Sequence, residues 1–172
     1  AGHERAAVLD GGWAKWHHEG LPAHSGRELR RPTAFTPNWR QELLLDAKAV
    51  LKSLKEPGLK LLDARSAKRF DGSTESLDPI GGHIPGALNH PCQTNLRENG
   101  TFHDSTELRQ RFKALLGSTP PEKIVSYCGS GVTACHNLLA LARAGLDGGK
   151  LYPGSWSEWC SDPSRPVERS ST

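Results

Sequence analysis

The strongest signal for the fold is the stretch Ile124-Val125-Ser126-Tyr127-Cys128-Gly129-Ser130-Gly131-Val132-Thr133-Ala134. An apolar run leads directly into Cys128, and an apolar segment begins again at Val132, after two glycines. This order predicts a β-strand, a short loop and an α-helix. In open parallel sheets, ligands bind beyond the carboxyl ends of the strands, so we expect Cys128 to face a binding site.

The loop between this strand and this helix is suited to hold an anion. Gly129 and Gly131 allow the backbone to curl so that successive N–H groups point inwards, and the helix N-terminus adds about half a positive charge. Both effects favour the thiolate of Cys128 over its thiol. The hydroxyls of Ser130 and Thr133 can donate further hydrogen bonds. The loop therefore predicts a nucleophilic cysteine.

Three classes of enzyme carry a cysteine at such a turn. Cysteine phosphatases need an arginine six residues after the cysteine to clamp phosphate, and that position here is Ala134. The cell-cycle dual-specificity phosphatases use a loop one residue longer, which also ends in arginine. Sulfur transferases need no phosphate clamp, so the compact neutral loop favours them, and a phosphatase is the distant alternative.

Helices and strands alternate from about residue 41, which predicts a parallel sheet covered on both faces. Asp46 is expected to cap a helix through Leu54 that Pro57-Gly58 ends, and Asp104 with Glu107 resembles a capping box for a helix that ends at Gly117. The other predicted elements are the strands Leu59–Asp63, Lys123–Tyr127 and Lys150–Tyr152 and a helix over Val132–Arg143 stopped by Gly145.

Composition excludes several classes of protein. Of 172 residues, 35% are apolar, which is enough for a packed core, and the longest apolar run, Leu138–Ala142, falls far short of the about 20 residues of a membrane span. No secretory leader is visible, and a net charge of +3 without a basic stripe argues against nucleic acid. Four cysteines without a C-x-x-C pair argue against structural zinc and indicate a reducing cytoplasm, so we expect neither metal nor cofactor.

A pattern near the N-terminus is repeated near the C-terminus. Trp13 and Trp16 follow a short apolar segment and a glycine turn, as do Trp156 and Trp159, which indicates a tandem duplication. We therefore interpret residues 1–22 as the last strand and helix of a first domain, 23–40 as a linker and 41–172 as the catalytic domain. The chain contains no methionine, so we expect a processed product or a fragment.

Four motifs follow one another along the chain. They are Leu62-Asp63-Ala64-Arg65 with Arg69-Phe70, Gly82-His83-Ile84-Pro85-Gly86-Ala87, Cys128 to Thr133, and Gly154-Ser155-Trp156 with Glu158-Trp159. In this order they resemble the rhodanese superfamily, and in particular the catalytic second domain of its tandem-domain sulfurtransferases. The match covers about residues 43–160, and residues 6–22 resemble the end of the inactive first domain. The resemblance implies a five-stranded parallel sheet with helices on both faces.

The resemblance also implies a two-step reaction. The Cys128 thiolate takes a sulfur from a donor, and a thiol, cyanide or a thioredoxin-like acceptor then removes it. Arg69 would grip the anionic end of the donor, Ser130 would help to protonate the leaving group, and Asp63 with Arg65 would support the strand end. The amides of the loop Gly129, Ser130, Gly131, Val132 and Thr133 would cradle the persulfide.

The loop composition resembles the type that uses 3-mercaptopyruvate, because the thiosulfate type carries Arg-Lys where Gly129 and Ser130 stand. The segment Asp71–Ile80, however, lacks the second arginine of the mercaptopyruvate enzymes, and one lost charged hydrogen bond costs about 1.5–3 kcal/mol. A thiosulfate:cyanide sulfurtransferase and a non-catalytic rhodanese module are the alternatives. Cys92, Cys135 and Cys160 are expected to be passive.

Overall fold

Four parallel strands form the central sheet of the computed structural model, which describes residues 2–3, 5–55 and 58–169. The order across the sheet is β2-β1-β3-β4. Asp63 pairs with Asn89 on one side and with Tyr127 on the other, so three strands end level with one another. The residues that follow them therefore meet at one edge. The strands are β1 (Lys60–Asp63), β2 (Leu88–Asn89), β3 (Ile124–Tyr127) and β4 (Lys150–Leu151).

The number of strands differs from the expected five, since the described residues contain four. Leu44 forms only an isolated parallel bridge with Leu151 at the edge where a fifth strand would lie, and the Leu45 N–H donates to the Leu151 carbonyl at 2.9 Å. A 3-10 turn over Gln41–Leu43 precedes this bridge, and Asp46 already caps the next helix. No room is left between the turn and the cap for a longer strand.

The predicted helices form with their expected starts. The Asp46 carboxylate accepts the Ala49 N–H at 2.8 Å, and the Asp104 carboxylate accepts the Glu107 N–H at 2.9 Å. The Glu107 side chain turns to Arg111 rather than back to the cap, so only half of the capping box forms. The stop assigned to Pro57 lies outside the described residues. The helices are α1 (Gly12–His18), α2 (Ala47–Ser53), α3 (Ala67–Phe70), α4 (Ser105–Leu116), α5 (Val132–Arg143) and α6 (Ser155–Cys160).

The two faces of the sheet carry separate apolar cores. Strand residues alternate between them, because successive side chains in a strand point to opposite faces. One face buries Leu61, Val125 and Tyr127 against α2 and α6, including Trp156 and Trp159 of α6. The other buries Leu62 and Ile124 against Leu108 and Phe112 of α4 and Leu141 of α5. The expected α/β architecture with helices on both faces is confirmed.

The described part of residues 1–40 contains one helix, α1. The strand expected before α1 is absent from the described part of this segment, and Val8 and Leu9 are exposed instead of paired in a sheet. Asp10 ties the segment to the domain, since its carboxylate accepts the Phe102 N–H at 2.8 Å. The Trp16 indole N–H donates to the Pro22 carbonyl in the linker at 2.9 Å. Among the described residues, no helix has both the length and the apolar character needed to cross a membrane.

Candidate active site around Cys128

Cys128 directly follows β3 and is 2% exposed. Its N–H donates to the Ser155 hydroxyl oxygen at 3.1 Å, and its carbonyl accepts the Trp156 N–H at 2.9 Å. The next carbonyl, of Gly129, accepts the Ser157 N–H at 3.0 Å. The start of α6 therefore holds both ends of the Cys128 peptide unit, which fixes the direction of the cysteine side chain.

Ser155 is a functional position that sequence reasoning assigned only to a closing motif. It has a φ of 55°, and no other non-glycine residue in the described ranges has a positive φ. Its hydroxyl donates to the Tyr152 carbonyl at 2.9 Å while it accepts the Cys128 N–H. Such strain persists only where surrounding contacts impose it. The neighbouring Gly154 and Trp156 gave the only available signal for a tight turn here.

The two loop glycines do different things. Gly131 has a φ of 84°, and a Cβ atom there would lie 2.7 Å from the Pro153 carbonyl oxygen, so both the backbone angle and the space require glycine. Gly129 has no such backbone angle, and a Cβ there would lie 3.5 Å from Arg69 Nη1, an ordinary contact. The loop therefore requires glycine at Gly131, whereas at Gly129 the missing side chain leaves space next to an arginine.

Cys128 lines a cavity of about 430 Å³, which we call the Cys128 cavity. Its walls come from the segments after β1, β2 and β3, as expected for the carboxyl edge of a parallel sheet. Of the predicted site residues, Gly131 and Asp63 do not line the cavity. The lining residues are Ala64, Arg65, Ser66, Arg69, Leu77, Asp78, Cys92, Gln93, Cys128, Gly129, Ser130, Val132, Thr133 and Ser157.

Asp63 and Arg65 form a buried ion pair at the end of β1. Arg65 Nη2 lies 2.7 Å from Asp63 Oδ2 and 2.6 Å from the Gly82 carbonyl oxygen, and the guanidinium lies 4.6 Å from the centre of the Trp156 ring. Burial opposes the charge of Arg65, but the hydrogen bonds that Arg65 donates to Asp63, together with the Coulombic contributions of Asp63, Tyr127 and Glu75, outweigh burial, so the pKa of Arg65 is raised. The pair joins β1 to the Gly82–Ala87 segment.

Arg69 lines the Cys128 cavity and has two acidic partners that were not predicted. Its Nε and Nη2 atoms lie 3.1 Å and 3.0 Å from the carboxylate oxygens of Glu75, and Nη2 lies 2.9 Å from Asp78 Oδ2. The sequence prediction for the segment 71–80 concerned only its lack of an arginine. The carboxylates of Glu75 and Asp78, three residues apart in this segment, were the signal that could have indicated these partners.

Two of the other cysteines, Cys92 and Cys135, have thiols whose pKa is raised by their surroundings. Cys92 lines the Cys128 cavity, where burial, and next the neighbouring Cys128, raise the pKa of its thiol. The same two causes raise the pKa of Cys135. Both groups are therefore held as thiols at neutral pH, in keeping with a passive role. The place of Cys92 in the cavity was missed, although its position shortly after β2 is the signal for it.

His83 is held by contacts within the fold. Its Nδ1 atom lies 2.7 Å from the Phe70 carbonyl oxygen, and its ring stacks on the Phe70 ring with centroids 3.7 Å apart. The described ranges contain no group of three or more His, Cys, Asp or Glu side chains that could hold a metal ion. Among the groups that line the cavity are a thiol at Cys128, the hydroxyls of Ser130 and Thr133, and the guanidinium of Arg69.

The fold and the site together define an α/β domain with a cysteine at a strand-to-helix turn, at the carboxyl edge of a parallel sheet and in one cavity with an arginine. Residues 46–162 match the family described as Rhodanese-like domain, and the chain belongs to this family. The earlier resemblance is thereby confirmed.

Similar proteins agree with this assignment. Over 160 residues the chain is 49% identical to the probable 3-mercaptopyruvate sulfurtransferase of Pseudomonas aeruginosa, covering 93% of this chain and 56% of that protein. It is 40% identical over 177 residues to the putative thiosulfate sulfurtransferase SseB of Mycobacterium tuberculosis, covering 98% and 59%. The wild-type structure of EanB superposes with a TM-score of 0.83 at 26% identity, covering 100% of this chain and 43% of EanB. The chain thus spans about half the length of the curated relatives it matches.

Proposed function

We propose that the chain is the catalytic domain of a sulfurtransferase that moves a sulfane sulfur from 3-mercaptopyruvate to a thiol or cyanide acceptor through a persulfide on Cys128. The observation that carries the proposal is the joint position of Cys128 and Arg69 on the walls of one cavity. A nucleophile and an anion-binding group are needed on opposite ends of such a donor. The name of the 49% identical relative supports the choice of donor.

The first half-reaction forms the persulfide. The Cys128 thiolate attacks the donor sulfur, an S–S bond forms, and the C–S bond breaks with its electron pair moving to carbon. The carbon fragment leaves as the enolate of pyruvate and takes up the proton of the donor thiol, whose transfer we assign to the Ser130 hydroxyl, so the persulfide is left as an anion. An Arg69 N–H donates to the donor carboxylate, and the amides from Gly129 to Thr133 hold the sulfur anion.

The second half-reaction returns the enzyme to its starting state. A thiol, cyanide or a thioredoxin-like protein attacks the outer sulfur, and the Cys128 thiolate leaves. Because the donor's product departs before the acceptor reacts, ping-pong kinetics follow. The volume of the Cys128 cavity, about 430 Å³, gives room for a small acceptor beside Cys128.

The longer architecture is part of the proposal. We propose that residues 1–22 are the end of a preceding rhodanese domain, that 23–40 form a linker, and that this first domain is a partner of the site. The repeated Trp-x-x-Trp pattern supports the duplication, and Asp10, which bonds to Phe102, shows how the segment contacts the domain described here.

We also propose that the protein works in the cytoplasm. All four cysteines are free thiols in the structure. A nucleophilic cysteine next to the thiol of Cys92 is best preserved in a reducing compartment, because disulfides form readily in an oxidising one.

The second candidate is a thiosulfate:cyanide sulfurtransferase, and the name of the 40% identical relative favours it. The two are separated by the product of the first half-reaction, which is pyruvate from one donor and sulfite from the other. We would measure both products, with cyanide as acceptor, for the wild-type chain, C128S and C135S. Pyruvate release that is lost in C128S and kept in C135S supports the proposal. Sulfite release alone supports the second candidate. If neither pyruvate nor sulfite is released, the chain is a non-catalytic module.

A further inference from the structure

The segment that follows α3 presents two carboxylates to Arg69, and their surroundings differ. Glu75 Oε1 accepts the N–H groups of Ser76 and Leu77 at 3.0 Å each and that of Asp78 at 3.3 Å, so Glu75 organises its own loop. Burial disfavours its charge, but the Arg69 hydrogen bond and these N–H groups outweigh burial, so the pKa of Glu75 is lowered.

Glu75 also bridges the two arginines of the site. Its Oε2 atom lies 3.1 Å from Arg69 Nε and 3.7 Å from Arg65 Nη1. Arg65 Nη1 is buried and has no hydrogen bond to the described residues, so Glu75 is its nearest compensating charge. Glu75 therefore holds its own loop and the two arginines in place.

Asp78 has a different position. Its side chain is 6% exposed, it lines the Cys128 cavity, and its ion-pair partner is Arg69, with Oδ2 at 2.9 Å from Nη2. With Nε and Nη2 occupied by the two carboxylates, the edge of Arg69 that carries Nη1 faces the Cys128 loop, 3.5 Å from where a Cβ at Gly129 would lie. A bound donor meets one nitrogen of Arg69 rather than the full fork.

The charges around this edge do not favour a multiply charged anion. The network joins three carboxylates to two guanidinium groups, so it carries one net negative charge, and the positive charge of Arg69 is already compensated. A second negative charge on a ligand would lie close to Asp78 in a half-buried cavity, where repulsion is weakly screened. The network consists of Asp63, Arg65, Arg69, Glu75 and Asp78.

We propose that Asp78 determines donor specificity, because it occupies Nη2 of Arg69 next to the Cys128 loop and thereby selects donors with a single negative charge over dianions. A mercapto-carboxylate of the 3-mercaptopyruvate type carries one charge at neutral pH, and thiosulfate carries two. The inference rests on the proposed function, which it deepens. It also gives the segment 71–80 a role, because Asp78 in this segment limits which nitrogen atoms of Arg69 a donor can reach.

The test is the exchange D78N, which keeps the size of the side chain and removes its charge. We expect kcat/KM for thiosulfate to rise about tenfold or more and that for 3-mercaptopyruvate to change by less than about threefold. The matched control is D71N, because Asp71 lies in the same segment, accepts the Ser73 N–H at 2.7 Å and is not among the cavity residues. It should leave the ratio of the two donors unchanged.

A second measurement keeps the inference testable without turnover. We would titrate thiosulfate and pyruvate into the chain carrying C128S, with and without D78N. Tighter binding of thiosulfate in the double variant, with pyruvate binding little changed, supports the role of Asp78. An unchanged ratio of the two affinities, or equal changes for both ligands, overturns it. The proposed function fails separately, through the absence of products from the wild-type chain with either donor.

Discussion

The two walls of the Cys128 cavity are built in different ways. The wall after β3, which we call the backbone wall, is held by main-chain groups: the N–H of Cys128 and the carbonyls of Cys128 and Gly129 are bonded to the start of α6. The wall after β1, which we call the charged wall, is formed by side chains: Arg69 is held there by Glu75 and Asp78. Backbone groups cannot change charge, so the first wall offers a constant environment for a sulfur anion, whereas single substitutions can retune the second.

This division separates reaction from selectivity. Two backbone features define the loop that holds Cys128: the positive φ of Ser155 and the close approach of Gly131 to Pro153. The charged wall rests on the buried pair of Asp63 and Arg65 beneath it. Substitutions in the loop should therefore reduce transfer from every donor, and substitutions in the charged wall should change one donor relative to another.

The largest effect on stability is expected from D63N, which tests the base of the charged wall. It leaves the Arg65 guanidinium, whose side chain is 1% exposed, without its main counter-charge. Removing one partner of a buried pair costs about 3–5 kcal/mol, which urea denaturation would measure as a lower free energy of unfolding. The control D162N removes a carboxylate that is 42% exposed, and there we expect less than about 0.5 kcal/mol.

The next largest effect is expected from G131A, which tests the backbone wall. The left-handed angle costs an alanine about 1–2 kcal/mol, and the contact with Pro153 adds to this by shifting the loop. A shift of about 1 Å can lower activity about a hundredfold, for both donors alike. G86A is the matched control, since Gly86 has a φ of 73° with nothing within 4 Å of its Cβ position. Equal losses of activity in the two variants would contradict the account.

A smaller effect is expected from R69K, which keeps the charge but loses the planar fork. Lysine cannot donate to Glu75 and to a donor in the same geometry, so kcat/KM should fall about tenfold while stability changes by less than about 1 kcal/mol. Steady-state kinetics and urea denaturation would check the two statements. R97K alters an exposed pair with Asp104 and should change neither quantity. An unchanged kcat/KM in R69K would show that the arginine does not contact the donor.

The smallest effect is expected in the pH dependence of the free energy of unfolding, where E75Q tests the contribution of Glu75 alone. The pKa of Glu75 in the folded chain lies below its ordinary value of 4.5, so the unfolded chain binds more protons there. Glu75 thus stabilises the fold above that value, and the contribution is lost as pH falls through the lowered pKa. Denaturation from pH 7 down to pH 3 should show a stability difference between wild type and E75Q that shrinks with acid. A difference that stays constant would assign the effect to packing alone.

The backbone wall was largely predictable from sequence, and the charged wall was not. Helix α5 begins and ends where the glycines and the apolar pattern predict, because these signals are local. The contacts of Glu75 and Asp78 depend on a loop whose course is set by Arg69, six and nine residues earlier, and no periodic pattern marks it. The missing fifth strand has a similar cause, since one bridge at Leu44 depends on β4, more than 100 residues away in sequence.

Mass spectrometry of the peptide that contains Cys128 would show whether this residue carries the transferred sulfur. The full chain would be treated with one equivalent of 3-mercaptopyruvate, digested without reductant, and compared with a sample treated afterwards with cyanide. We predict one added sulfur atom on Cys128, removed by cyanide as thiocyanate, with Cys92 and Cys135 unmodified. Added sulfur on Cys92 or Cys135 with Cys128 unmodified would contradict this prediction.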